Sequence, residues 1–114
     1  MNNILYIFLF FLLHNTQDLK VISYNVRYNN PNDGVNIWDN RKSTVTEFIS
    51  NEAADFVGMQ EVLNSQLTDL MGSLKEYDYV GVGRDDGKNK GEYSPILFNK
   101  NKYKVLKSNT FWLS

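Results

Sequence analysis

The order in which strand and helix patterns follow one another constrains the fold of this chain most. Short apolar or alternating runs, typical of strands, are separated by two stretches with the spacing of amphipathic helices. The predicted order is β-α-β-α-β-β-β, with strands at 19–28, 55–60, 77–82, 93–98 and 103–113 and helices at about 39–51 and 63–74. A strand–helix–strand succession favours an α/β architecture in which helices cover a sheet.

The helix patterns differ in clarity. The second is the better one, because five apolar side chains fall on one face at helical spacing: Leu63, Leu67, Leu70, Met71 and Leu74. The first helix is predicted to begin at Asp39 as its N-cap. With both helices on one face of the sheet, the other face is predicted to lack a second layer, and its exposed side chains would include Val80, Val82, Ile96 and Phe98.

Composition excludes several classes of function. The 114 residues contain no Cys, which rules out disulfide scaffolds, thiolate metal sites and Cys nucleophiles. His14 is the single His, so no mechanism that needs a His deeper in the chain can run on these residues alone. The net charge of −1 provides no positive field that would hold a nucleic acid by charge.

Ten consecutive apolar residues, Ile4–Leu13, follow the first three residues. About 20 are needed to cross a bilayer, so we expect no stable membrane span, whereas ten suit the apolar region of a secretory signal. We predict a signal peptide at 1–18, a secreted or periplasmic product, and one domain at 19–114. The segment lacks an early Lys or Arg and a small-residue cleavage site, which leaves an apolar first strand or helix as the alternative.

Two polar residues stand at the ends of early strands. Asn25 interrupts an apolar strand, where Asn is depleted, and Glu61 closes the second strand. Ligand sites of α/β sheets lie beyond the carboxyl ends of strands, where Glu61 could ligate Mg²⁺ and Asn25 could contact a metal or a phosphate. The alternatives are an Asn bonded to neighbouring backbone and a Glu that favours the start of the following helix.

A polar, Gly-rich loop follows the third strand and carries the charged residues Arg84, Asp85, Asp86, Lys88 and Lys90. Arg84 in this loop could hold a phosphate group. A solvated charged turn is the alternative interpretation.

Seven segments of the chain together resemble a known family. The segments Ser23–Tyr28 and Met59–Glu61 are similar to the opening signature of the endonuclease/exonuclease/phosphatase superfamily, a strand ending in Tyr-Asn and a later strand ending in Gln-Glu. Further segments resemble its secreted or periplasmic bacterial members, and the likeness runs from Leu19 to Ser114. They are Asn30–Gly34, Trp38–Lys42, Val80–Gly87, Gly91–Ile96 and Thr110–Ser114.

The resemblance implies a fold and a chemistry. The fold is the N-terminal portion of a four-layer α/β/β/α sandwich of the deoxyribonuclease I type. The chemistry is hydrolysis of a phosphoester by water with Mg²⁺, or alternatively Mn²⁺. By position, Glu61 would be the metal ligand, Asn25 would hold the phosphate or lie close to the metal, and Tyr93 would contact substrate. The substrate, whether a small molecule, a lipid or a nucleic acid, stays open.

The chain departs from the family pattern in one large respect. The later Asp-x-Asn, catalytic His and Asp-His motifs have no counterpart here. We therefore expect the N-terminal part of a phosphoester hydrolase, inactive as this short chain and needing a missing C-terminal half. The alternative is a non-catalytic secreted module that binds anionic ligands through Arg84 and neighbouring residues and needs a partner or a second copy to cover its sheet.

Overall fold

The computed structural model of the chain describes residues 18–113. The predicted signal segment Ile4–Leu13 and His14 lie outside the described residues. Within them the strands are β1 (Val21–Asn25), β2 (Phe56–Gln60), β3 (Tyr77–Val80) and β4 (Ile96–Asn99), and the helices are α1 (Trp38–Glu52) and α2 (Asn64–Ser73). A short 3₁₀ turn, Gly34–Asn36, precedes α1.

The four strands form one sheet in the order β1-β2-β4-β3. The β1–β2 pair is parallel, with Asn25 opposite Gln60, because α1 carries the chain back to the start of the sheet between them. The β2–β4 and β4–β3 pairs are antiparallel. The parallel pair therefore brings the carboxyl ends of β1 and β2 to the same edge.

Both helices contribute to a core on one face of the sheet. Side chains from α1, α2 and alternate positions of the strands are almost fully buried there: Val45, Ile49, Val57, Met59, Leu67, Leu70 and Leu97. Tyr24 joins them through an edge-on contact with Phe48, with ring centroids 5.4 Å apart. This confirms the α/β class and the predicted layer of helices on a sheet.

The opposite face of the sheet is largely open within residues 18–113. Val21 is 62% exposed and Ile96 is 47% exposed, although both belong to strands. The prediction was wrong for Phe98, which is buried. On the same face the Phe56 ring packs at a tilt against Tyr103, with 4.6 Å between ring centroids. An apolar groove of about 750 Å³ follows this face. Within the described residues, the sheet thus has one face covered by helices and one face largely uncovered, as predicted for the N-terminal portion of a sandwich.

Some predicted boundaries were wrong. Residues 103–113 form no strand, because no neighbouring strand within the described chain offers them a ladder of hydrogen bonds. The strand predicted at 93–98 starts only at Ile96, and Tyr93 makes an isolated bridge to Val62. Asp39 lies inside the first turn of α1, and Ile37 is the N-cap. The strand predicted at 19–28 is limited to β1, since the chain leaves the sheet at Val26.

No helix within residues 18–113 combines the length and the apolar character that crossing a membrane requires.

Candidate active site at the ends of β1 and β2

Asn25 and Glu61 meet at the carboxyl ends of the parallel strands. The Asn25 Nδ2 amide donates a hydrogen bond of 2.9 Å to Glu61 Oε1. The backbone N–H of Tyr28 lies 3.4 Å from the other carboxylate oxygen, Glu61 Oε2. Asn25 Oδ1 in turn accepts a 2.9 Å hydrogen bond from the backbone N–H of Arg27. The two polar residues predicted at strand ends therefore form one connected group.

Both chain segments turn sharply at this edge. Arg27 and Glu61 have left-handed backbones, with φ of 61° and 57°. Residues with a side chain seldom adopt this conformation, and where they do the surrounding structure has to hold them in it. Such backbones concentrate at functional sites. Here the turn at Glu61 brings its carboxylate to the Asn25 amide.

The surroundings of Glu61 favour its charged form. The hydrogen bond from Asn25 is the largest cause that lowers the pKa of the Glu61 carboxyl, followed by the Tyr28 backbone N–H. The positive charge of Arg27 acts in the same direction. Glu61 is consequently a carboxylate at neutral pH, which is the form that can ligate a cation.

Arg27 and Asp33 form a second charged pair beside this group. The Arg27 guanidinium donates to both carboxylate oxygens of Asp33, at 3.0 and 2.9 Å. This two-bond contact raises the pKa of Arg27 and lowers the pKa of Asp33. Arg41 on α1 reaches the same region and donates to the carbonyl oxygens of Val26 and Asn36, at 2.7 and 2.6 Å. The loop after β1 is thereby tied to α1.

Gln66 is a site neighbour that the sequence analysis did not single out. It is fully buried in the first turn of α2, and its side chain bonds to the backbone of Arg27, Asn29 and Leu63. One signal could have indicated it. Gln66 is a polar residue within the apolar stripe of 63–74, three positions after Leu63, where a Gln can reach back to the start of its helix.

The other two predicted site residues lie elsewhere in the chain. Arg84 is exposed in the loop after β3, where its guanidinium lies 3.3 Å from Glu92 and 3.8 Å from Asp85. Tyr93 is buried, and its hydroxyl lies 3.1 Å from Asn64 Oδ1 and 3.0 Å from the Lys88 carbonyl oxygen. Tyr93 thus joins the loop to α2, and its contact with substrate stays a prediction.

The donor chemistry at this edge suits one part of a Mg²⁺ site. A carboxylate and an amide are oxygen donors, and Mg²⁺ often uses only one or two carboxylates while keeping several waters. Within residues 18–113, no group of three or more His, Cys, Asp or Glu side chains converges to hold a metal ion. Glu61 and Asn25 can therefore supply some of the ligands of such an ion, and other groups or waters must supply the rest.

Three solved structures are similar to this chain over most of its length. An endonuclease/exonuclease/phosphatase from Bacteroides vulgatus is 53% identical, with a TM-score of 0.82 over 84% of this chain and 37% of its own. A family protein from Bacteroides thetaiotaomicron is 40% identical, with a TM-score of 0.81 over 84% of this chain and 36% of its own. A mannosyl-6-phosphatase, also from Bacteroides thetaiotaomicron, is 39% identical, with a TM-score of 0.82 over 85% of this chain and 37% of its own.

These likenesses confirm the predicted family and fold. The chain matches the N-terminal part of endonuclease/exonuclease/phosphatase family proteins in sequence and in three dimensions. It spans a little more than a third of the length of these relatives. No protein-family model and no curated protein sequence matches the chain.

Proposed function

We propose that this chain is the N-terminal part of a metal-dependent phosphoester hydrolase. The contact of 2.9 Å between Asn25 and Glu61 carries the proposal, because it places an ionised carboxylate and an amide together at the edge where α/β sheets bind ligands. The family of the structural relatives, whose name describes the cleavage of phosphoesters, supports the same chemistry.

Each of the two residues has a distinct role in this proposal. Glu61 binds Mg²⁺, or Mn²⁺ in its place, through its carboxylate. Asn25 orients Glu61 through its Nδ2 amide and, when substrate enters, offers that N–H to a phosphate oxygen. A bound Mg²⁺ would supply positive charge that stabilises the phosphoryl group as charge develops on it. The described residues provide one carboxylate for this task, so we expect turnover to require further groups beyond them.

A phosphomonoester of a sugar is the substrate class that we propose to test first. The support is the 39% identical relative described as a mannosyl-6-phosphatase. The charge of the chain points the same way, because a net charge of −1 offers little of the electrostatic attraction by which nucleases hold a nucleic acid.

The alternative, a non-catalytic module that binds anions through Arg84, has less support. Arg84 is already close to two carboxylates, Asp85 and Glu92. An incoming anion would have to compete with both. The loop is exposed, so these pairs are weak individually, but Arg84, Asp85 and Glu92 together carry more negative than positive charge, which does not favour an incoming anion.

We also propose that the protein is secreted or periplasmic, on the basis of the ten apolar residues Ile4–Leu13.

The test is hydrolysis by the complete protein of which this chain is the N-terminal part. Sugar 6-phosphates, a lipid phosphodiester and a single-stranded oligonucleotide are offered with Mg²⁺, with Mn²⁺ and with a chelator. Glu61→Gln keeps the shape of the side chain but removes its charge, and we expect roughly a 10²- to 10⁴-fold loss of kcat. Glu47→Gln, a change of the same kind on the exposed side of α1, serves as the matched control and should keep wild-type rates.

The outcomes separate the parts of the proposal. Hydrolysis that needs the metal and falls in Glu61→Gln alone supports both function and site. Wild-type rates from Glu61→Gln would overturn the assignment of Glu61. Absence of hydrolysis on every substrate, with the protein folded and the metal present, would refute the enzymatic function.

A further inference from the structure

Buried polar side chains mark the two ends of the parallel strand pair. Apart from aromatic residues, three polar or charged residues are buried within residues 18–113: Asp55, Gln66 and Asn99. Asp55 and Asn99 belong to the end of the sheet where β2 begins, and the Asn99 N–H donates to the Asp55 carbonyl oxygen at 3.0 Å. Gln66 alone lies at the opposite end, beside Asn25 and Glu61. The Gln66 amide is fully buried, so its polar atoms need hydrogen-bond partners inside the protein.

The Gln66 side-chain amide makes three hydrogen bonds, all of them to backbone groups. Its Oε1 accepts hydrogen bonds from the N–H of Asn29 and the N–H of Leu63, both at 3.0 Å. Its Nε2 donates to the carbonyl oxygen of Arg27 at 2.9 Å. A neutral amide combines these functions, whereas a carboxylate cannot donate and an apolar side chain can neither donate nor accept.

The three backbone groups belong to the two turns that carry the site. Arg27 and Asn29 lie in the segment that leaves β1, and Leu63 lies in the segment that leaves β2. The N–H of Arg27 orients Asn25, and the N–H of Tyr28, between the two residues held by Gln66, faces Glu61. Gln66 therefore fixes the backbone from which both site residues receive hydrogen bonds.

We propose that Gln66 is a positioning residue that holds the turn after Asn25 and the turn after Glu61 in the register that lets these two side chains meet. The proposal rests on the proposed function only where it involves the metal, because the hydrogen bond between Asn25 and Glu61 is present in the chain without a metal. The Gln66 side chain is fully buried and its hydrogen bonds go to backbone groups, so it acts through the left-handed residue Arg27 and the N–H of Tyr28.

Two substitutions separate positioning from stability. Gln66→Met keeps the volume but removes every hydrogen bond, and Gln66→Glu keeps the two acceptor contacts but loses the donor to Arg27. Asn99→Leu is the matched control, since it removes another buried amide, one that accepts from the Asn101 N–H at 3.0 Å at the far end of the sheet. Gln66→Met and Asn99→Leu should both lower the melting temperature, but only the substitutions at Gln66 should disturb the contact between Asn25 and Glu61.

The measurement is NMR on the purified, isotope-labelled complete protein of which this chain is the N-terminal part. Without metal, the side-chain amide resonances of Asn25 in Gln66→Met should move most of the way to their position in Glu61→Ala, where the contact is removed. The Tyr28 N–H should exchange with solvent about tenfold faster or more. Gln66→Glu should move the Asn25 resonances in the same direction but less far, and it provides the test if Gln66→Met does not fold. In Asn99→Leu these signals should stay in place.

Added Mn²⁺ provides the second arm. In the wild type it should broaden the Asn25 side-chain resonances, and in Gln66→Met this broadening should weaken at equal Mn²⁺ concentration. If Mn²⁺ broadens nothing near Asn25 in the wild type, the metal proposal fails, whereas the metal-free shifts still decide the role of Gln66. Unchanged Asn25 and Tyr28 signals in both Gln66 variants, or equal changes in Asn99→Leu, would overturn the positioning role.

Discussion

Two adjacent residues of β4 provide a direct test of the two-sided sheet. Leu97 and Ile96 are consecutive, so their side chains point to opposite faces. Leu97 is fully buried beneath the helices, and Ile96 is 47% exposed on the open face. Replacing each by Ala removes a comparable amount of apolar side chain, which makes the pair its own control.

The expected costs follow from these exposures. Deletion of a buried Leu side chain to Ala costs about 2–5 kcal/mol, since the lost transfer energy adds to that of the cavity. Ile96→Ala removes about three methylene-sized groups, each worth roughly 0.8 kcal/mol when fully buried. Because Ile96 is 47% exposed in this chain, we expect about half of that sum, a cost of about 1 kcal/mol. We therefore expect Leu97→Ala to lower the free energy of unfolding at least twice as much as Ile96→Ala.

Urea denaturation of the chain and of the complete protein measures both values. In the complete protein a second layer is expected to cover the open face, so the cost of Ile96→Ala should rise into the range of about 2–5 kcal/mol, while that of Leu97→Ala stays similar. Equal costs for the two substitutions in the chain alone would contradict the open face. An Ile96→Ala cost that does not rise in the complete protein would refute the expected second layer.

Three further predictions concern other parts of the molecule. The hydrogen bond from the backbone N–H of Lys20 is the largest cause that lowers the pKa of the Asp55 carboxyl. The Asp55 carboxylate should therefore stabilise the fold above about pH 4, and this stabilisation should be lost as the pH falls through the folded pKa of Asp55. Thermal melts at different pH should show that this part of the pH dependence of stability is absent in Asp55→Asn. The Tyr77 hydroxyl donates to the Ala54 carbonyl oxygen at 2.7 Å in the core, so Tyr77→Phe should lower the free energy of unfolding by about 1–2 kcal/mol in urea titrations, and an unchanged midpoint would argue against this contact. Charged residues in place of Phe8 and Leu9 should abolish export of a fused reporter, and a reporter that the native segment leaves in the cytosol would exclude a signal peptide.

The strand–helix alternation and the two polar residues could be read from the sequence because each rests on a local rule. Apolar spacing sets the elements, and parallel strands joined by a helix must end at the same edge. From this it follows that Asn25 and Glu61 lie near one another, and the structure brings them into contact. Their roles toward metal and phosphate were implied by resemblance and stay predictions.

What the sequence did not indicate depends on contacts between distant residues. Residues 103–113 were predicted to form a strand, but a strand needs a neighbour to pair with, and the local sequence does not say whether one exists. Two of the three hydrogen bonds of Gln66 reach residues 37 and 39 positions away, so no local pattern reveals them. The left-handed backbone of Glu61 is likewise imposed by its surroundings, since Glu has no intrinsic preference for it.

The location of a bound metal ion tests the central claim most directly. A crystal of the complete protein soaked in Mn²⁺, with data collected for anomalous scattering, shows the ion without assumptions about substrate. We predict an anomalous peak about 2.1 Å from a carboxylate oxygen of Glu61, beside the Asn25 side chain, and its loss in Glu61→Gln. A well-occupied Mn²⁺ bound elsewhere, with Glu61 and Asn25 still bonded only to each other, would contradict the assignment of this pair to the metal centre.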